Sequence, residues 1–268
     1  MSKPSIAFVP GSFILVESYQ PIFDAISEAG YEIKGIRLPS IGPGSRQGTN
    51  NLAPSMYDDA ATIAREVESL TDHGKDVIII GHSYGGVPMS QCTKGLGKEE
   101  RKAQGKPGGI VRLAYMAALV PALGKSGVDI LGELPEDTRP SVEVDGNGWA
   151  LMNDPVKTAR IVVQELPLQK GIAIVNAMAK HSARSSADKL THAGYKDIPV
   201  SYLLTENDLC VPPGQAQRPA INMIEQVSGQ RVDVVSIKTG HCPNWADPKA
   251  TVNWILSVIK LVEDTQAA

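Results

Sequence analysis

The chain has 268 residues, 42% of them hydrophobic, and carries a formal net charge of −3. A chain of this size can bury a sizeable core, and we expect one α/β domain with an insertion. Because positive and negative charges are interspersed, we do not expect a nucleic-acid partner. The first apolar run, residues 5–9, is too short for the core of a signal peptide or for a membrane span. Three cysteines without a C-x-x-C pair lead us to expect free thiols and a cytoplasmic location.

Short apolar runs alternate with helical patterns in both halves of the chain. The predicted strands are 5–9, 32–36, 77–80, 110–116, 199–204 and 231–237. The predicted helices of this part are 19–29, 57–70, 84–93, 214–227 and one that opens at Asp247-Pro248. This order predicts an α/β fold with a doubly wound, mostly parallel sheet of about six strands.

The region between residues 121 and 196 has a different pattern. It shows two helical stretches, 156–165 and 171–180, joined by Gly- and Pro-rich loops, and no strand signal. It follows a predicted strand, near the edge where open α/β sheets keep their sites. We therefore predict a core of residues 1–120 and 197–268 and an inserted helical cap of residues 121–196.

A G-x-S-x-G pentapeptide, Gly81-His82-Ser83-Tyr84-Gly85, follows the apolar run 77–80 directly. In that context the pattern is typical of a nucleophile elbow, a sharp strand-to-helix turn that raises a serine hydroxyl above the sheet. Ser83 is therefore the candidate nucleophile. His82 is expected to pack beside the site rather than to react.

A serine hydroxyl needs a base, and the base needs a carboxylate that orients it. Asp208 follows the predicted strand 199–204, and His241 follows the strand 231–237, so both lie at the carboxyl edge of the sheet with Ser83. Asp208 is the preferred acid and Glu206 the alternative. No His, Cys, Asp and Glu spacing indicates a metal, and no cofactor is expected.

The oxyanion of acyl transfer needs two N–H donors. The N–H of Tyr84, which follows the nucleophile, is the first candidate, and Ser12 or Phe13 of the loop after the first strand is the second. Further candidates for substrate binding, from the same loop, the cap and the base loop, are Gly11, His181, Trp149 and Cys242. We expect Cys210 and Cys242 to line the pocket, with a regulatory disulfide as the alternative.

With these residues in place the chain resembles the α/β-hydrolase superfamily, and within it the compact branch of plant methylesterases, hydroxynitrile lyases and many uncharacterised fungal hydrolases. The strings that carry this likeness are Gly81-His82-Ser83-Tyr84-Gly85-Gly86, Phe8-Val9-Pro10-Gly11-Ser12, His181-Ser182-Ala183, Thr205-Glu206-Asn207-Asp208, Gly240-His241-Cys242-Pro243 and, as in fungal members, Gly105-Lys106-Pro107-Gly108-Gly109-Ile110. Two positions depart from the branch. Pro10-Gly11 replaces the usual His-Gly, and Cys242 stands where the hydroxynitrile lyases have lysine.

Three functions fit these residues. The first is a cofactor-free serine hydrolase that cleaves a carboxylic ester or lactone of a small to medium-sized apolar compound, with Ser83, His241 and Asp208 as its relay. The second is carbon–carbon bond cleavage in the same site, with His241 as base. The third is a ligand receptor that retains the three residues. A small molecule is the expected partner in each case, and the sequence does not indicate the oligomeric state.

Overall fold

The computed structural model describes residues 3–132, 134 and 139–267. Its strands, in chain order, are β1 (Ser5–Val9), β2 (Ile33–Gly35), β3 (Asp76–His82), β4 (Gly109–Met116), β5 (Val142–Val144), β6 (Trp149–Met152), β7 (His181–Ser182), β8 (Val200–Thr205) and β9 (Asp233–Ile237). Six of them form one parallel sheet in the order β2-β1-β3-β4-β8-β9. The predicted fold class and strand number are confirmed.

Helices connect the strands. In chain order they are α1 (Gln20–Glu28), α2 (Met56–Asp72), α3 (Gly86–Gln91), α4 (Lys98–Ala103), α5 (Gly127–Gly132), α6 (Pro155–Val162), α7 (Leu168–Ala177), α8 (Ala183–Ala187), α9 (Arg218–Ser228), α10 (Pro243–Ala246) and α11 (Pro248–Ala267). A reciprocal pair of hydrogen bonds between Ser55 and Asp58 caps α2, and the Asp247 carboxylate accepts the Ala250 N–H at the start of α11. In the described ranges, no helix combines the length and apolarity that a bilayer span requires.

The two faces of the main sheet are covered by different helices. Alternate residues of a strand point to opposite faces, so Ile78 and Ile80 of β3 join one apolar cluster and Val77 and Ile79 the other. The first cluster includes the apolar faces of α1 and α11, and the second includes those of α2 and α9. Both faces are thus buried, and the polar chemistry is left to the loops at the strand ends.

The segment between β4 and β8 differs from the prediction of a purely helical cap. Besides α5 to α8 it contains a three-stranded antiparallel sheet in the order β5-β6-β7. Strands of two to four residues are too short for a period-two pattern to be read from the sequence. The sheet adjoins the core where the Ser182 N–H donates to the Ser40 carbonyl over 2.8 Å.

Candidate active site

Ser83 lies at the turn between β3 and α3, in the left-handed region with a φ of 52°. A non-glycine residue in this conformation is strained, as expected for an elbow that projects its side chain. The turn is tight around it. A Cβ at position 85 would lie 2.6 Å from the Val9 carbonyl oxygen, and a Cβ at position 86 would lie 2.5 Å from the Leu119 carbonyl oxygen. Only glycine fits at these two positions.

The structure brings the three predicted relay residues into hydrogen-bonding distance. Ser83 Oγ lies 2.9 Å from His241 Nε2, and His241 Nδ1 lies 2.9 Å from Asp208 Oδ2. All three side chains are buried. The alternative acid, Glu206, is exposed to solvent, and its backbone N–H pairs with the end of β9. The geometry therefore distinguishes the two carboxylates and places Asp208 behind the imidazole.

Five donors converge on the Asp208 carboxylate. The N–H groups of Cys210 and Val211 each donate to Oδ1 over 2.8 Å. Oδ2 accepts from Thr205 Oγ1 over 3.0 Å, from Gln217 Nε2 over 3.2 Å and from His241. Hydrogen bonds from five donors fix the orientation of this carboxylate.

Two features of its environment have opposite effects on the pKa of His241. Burial disfavours the imidazolium, but the negative charge and hydrogen bond of Asp208 outweigh it, so the pKa of His241 lies well above its usual value. A base with a raised pKa holds the serine proton more firmly when the hydroxyl attacks. When its imidazole is neutral, His241 Nε2 lies where it can accept the Ser83 proton.

The candidate oxyanion donors lie on two loops beside Ser83. Tyr84 belongs to the short 3₁₀ turn Ser83–Gly85, at a helix start where N–H groups lack intrahelical acceptors. Phe13 has a φ of 64° in the turn after β1, and in the described part of the chain the N–H groups of Ser12 and Phe13 form no hydrogen bond. Their role in catalysis stays a prediction.

A cavity of about 560 Å³ opens above Ser83 between the core and the inserted segment. Its walls are mostly apolar, and the side chains that line it include Phe13, Leu119, Val128, Met152, Val162 and Met178. This volume lies within the range of small-molecule sites, roughly 300–1,000 Å³. The Ser83 hydroxyl thus faces a space that suits an apolar organic molecule.

Two of the four further substrate-binding candidates line this cavity. Cys242 does so together with Cys210, and both thiols are free. His181 also lines it; the ring is buried, its Nε2 lies 3.1 Å from Ser185 Oγ, and burial lowers the pKa of His181 to about 3. Among the described residues, no three His, Cys, Asp or Glu side chains are grouped as metal ligands.

The other two candidates, Trp149 and Gly11, do not line the described cavity. Trp149 is fully buried in β6, with its indole N–H donating to the Asn51 carbonyl over 3.1 Å and its ring against Gly48, so it does not line the described cavity. The Gly11 N–H donates to the Tyr19 hydroxyl over 3.2 Å and is therefore not free to bind substrate.

Several residues around the site carried no recognisable sequence signal. Gln217 is fully buried before α9 and reaches Asp208, although its position predicts an ordinary helical surface residue. Asp59 of α2 accepts hydrogen bonds from the Tyr84 hydroxyl over 2.6 Å and from the Ser40 N–H over 2.9 Å. Burial raises the pKa of Asp59 to about 6, against the effect of these hydrogen bonds.

Comparison with known proteins identifies the family of the chain and agrees with the fold. A model of the alpha/beta hydrolase family matches residues 6–254. The probable hydrolase R7 of Phoma sp. is 31% identical over 249 residues, 93% of this chain and 95% of that protein. The alpha/beta hydrolase nvfD of Aspergillus novofumigatus is 28% identical over 256 residues, 95% and 96% of the two chains. The solved structure of a pyrethroid hydrolase from Sphingobium faniae superposes with a TM-score of 0.72 at 17% identity, over 97% and 98% of the two chains.

Proposed function

The chain belongs to the alpha/beta hydrolase family, and we propose that it is a serine hydrolase that cleaves a carboxylic ester or lactone through an acyl-enzyme. The observation that carries the proposal is the relay of two hydrogen bonds, each 2.9 Å, from Ser83 through His241 to Asp208. Its donor and acceptor atoms are those that an activated serine requires.

The reaction would proceed in two halves. Ser83 Oγ attacks the carbonyl carbon while His241 Nε2 takes its proton, and the N–H groups of Tyr84 and of Ser12 or Phe13 bind the oxyanion. His241 then gives the proton to the leaving alkoxide, and the acyl-enzyme forms. Water attacks this ester, its proton goes to His241 and returns to Ser83 as the acid leaves. Asp208 stabilises the imidazolium in both halves.

The apolar cavity supports the choice of substrate. A volume of about 560 Å³ accommodates a small to medium-sized organic group, and its mostly apolar walls favour an uncharged one. The chemistry of the relay is the same for an open ester and for a lactone. In a lactone the leaving alkoxide stays attached to the acyl group. We therefore propose both as substrates of one mechanism.

A test combines covalent labelling with turnover. A fluorophosphonate probe is expected to add to Ser83 of the native protein, as read by mass spectrometry of the peptide that contains it. A panel of aryl esters, methyl esters and lactones should show turnover that Ser83→Ala abolishes. Ser69→Ala, at an exposed position of α2, serves as control and should behave as the native protein. Ester turnover that survives Ser83→Ala would contradict the proposal.

The same experiment separates the alternatives. Carbon–carbon cleavage with His241 as base needs no acyl-enzyme, so a substrate-derived adduct on Ser83 during turnover would exclude it. A receptor would bind ligand without sustained multiple turnovers. A hydrolase gives both the adduct and repeated turnover.

A further inference from the structure

A chain of hydrogen bonds runs behind Ser83, separate from the relay with Asp208. The Gly11 N–H lies 3.2 Å from the Tyr19 hydroxyl oxygen, and that oxygen lies 2.7 Å from His82 Nδ1. His82 Nε2 lies 2.8 Å from the His241 carbonyl oxygen. The chain thus connects the loop after β1, the elbow and the loop after β9.

The two ends of this chain fix the direction of each hydrogen bond. The Gly11 N–H can only donate and the His241 carbonyl can only accept. His82 must therefore carry its proton on Nε2, and Nδ1 accepts from the Tyr19 hydroxyl, whose oxygen accepts from Gly11. One arrangement satisfies every group, and it requires His82 to be the neutral Nε2–H tautomer.

The surroundings leave little freedom to this chain. The side chains of Tyr19 and His82 are fully buried, and the Tyr19 ring packs against Phe8 with centroids 4.6 Å apart. A Cβ at position 11 would lie 2.9 Å from His82 Nδ1. Burial and the neighbouring His241 lower the pKa of His82 to about 3, which keeps a second positive charge away from the base.

We propose that Tyr19 and His82 are positioning residues that set the base and the oxyanion loop against Ser83 through this chain. The inference rests on the proposed hydrolase function. His82 adjoins the nucleophile and holds the backbone of His241, the base that Ser83 needs. Tyr19 holds Gly11, which directly precedes the candidate donors Ser12 and Phe13. One chain of hydrogen bonds thereby aligns groups on both sides of the reacting carbonyl.

Tyr19→Phe tests the chain by removing one oxygen atom. It leaves the Gly11 N–H without an acceptor and His82 Nδ1 without a donor. Because small displacements of reacting groups cost rate rather than binding, we expect kcat for p-nitrophenyl butyrate to fall roughly 10- to 100-fold while KM changes less than about 2-fold. Tyr195→Phe is the matched control, since Tyr195 is also buried and its hydroxyl is also hydrogen-bonded, in this case to the Pro121 carbonyl. It should retain kcat.

Two substitutions of His82 distinguish the contributions of its two hydrogen bonds. Glutamine can donate to the His241 carbonyl but has no acceptor at the Nδ1 position, and alanine loses both bonds. We expect His82→Gln to recover part of the kcat that His82→Ala loses. Each variant is compared at equal folded fraction by thermal unfolding, so a loss of stability alone does not count as support. Tyr19→Phe or His82→Ala with native kcat and a native pH profile would overturn the inference.

A second readout does not depend on esterase activity. The protein has only five histidines, so ¹⁵N-histidine NMR resolves their tautomers and titrations. We expect His82 to stay neutral with its proton on Nε2 from pH 5 to 9 in the native protein, and the titration of His241 to shift in Tyr19→Phe. A His82 that titrates in this range, or that carries its proton on Nδ1, would refute the chain. If the native protein hydrolyses no ester, the proposed function fails, and these spectra still decide the hydrogen-bond chain.

Discussion

Asp208→Asn is expected to abolish most of the activity while leaving the fold intact. The backbone N–H groups of Cys210 and Val211 need an acceptor, so they hold the amide oxygen at the Oδ1 position. The amide NH₂ then takes the Oδ2 position and faces His241 Nδ1, which lies 2.9 Å from that site. An NH₂ group can only donate there. It selects the His241 tautomer with its proton on Nε2, which faces Ser83 and cannot accept the serine proton.

The size of the effect follows from this inversion. In a serine protease the same substitution, through the wrong tautomer, lowers kcat about 10⁴-fold, or about 5 kcal/mol of transition-state stabilisation. Here the amide also meets Gln217 Nε2, which lies 3.2 Å from Oδ2 and is itself a donor. This repulsion adds a cost to stability and none to the rate. We therefore expect a loss of kcat of about 10⁴-fold with KM little changed.

The assay is the hydrolysis of a p-nitrophenyl ester, measured from pH 5 to 10. Glu206→Gln is the matched control, because Glu206 is exposed and only two residues away. It should retain native activity. Asp208→Asn with more than about 1% of the native kcat would refute the reasoning, since that much activity requires the correct tautomer of His241. A loss of activity in Glu206→Gln would show that Asp208 had been wrongly assigned as the acid.

Two further predictions concern stability and specificity. Asp59 ionises less readily in the folded state than in the unfolded state, because burial raises its pKa to about 6. Its contribution to the free energy of unfolding is therefore greatest below about pH 4. That contribution declines by roughly 3 kcal/mol as the pH rises to about 6 and is constant above that. Asp59→Asn can still accept from Ser40 and donate to Tyr84, so urea unfolding from pH 4 to 8 should lack this decline, and an unchanged slope would contradict the assignment. Ala150→Phe, in a cavity-lining position of β6, should lower kcat/KM at least about 10-fold for long-chain esters and spare acetate esters, because it removes space for bulky groups; an equal loss for both would show that the cavity does not bind the acyl chain.

Local patterns in the sequence predicted the fold and the members of the relay. The six strands could be predicted because each is an apolar run bounded by turn residues. The three relay residues could be predicted because the carboxyl ends of parallel strands share one edge of the sheet. The small sheet of the inserted segment was not predicted, because its strands are too short for a period-two pattern, and β7 pairs with β6 from far along the chain. The hydrogen bond from Tyr19 to His82 joins residues 63 positions apart, and no local pattern predicts such a contact.

The inserted segment contacts the loops that carry Asp208 and His241 as well as lining the cavity. Gln164, just after α6, donates through Nε2 to the Asn207 carbonyl over 2.6 Å, beside Asp208. Its neighbour Glu165 accepts from the Gly240 N–H, beside His241. A Cβ at position 240 would lie 2.5 Å from Gln164 Oε1, so the Gln164 side chain packs directly against this glycine. Because one short stretch contacts the loops of both Asp208 and His241, we expect a substitution that shifts α6 to move His241 relative to Ser83. Such a substitution should therefore change rate together with specificity.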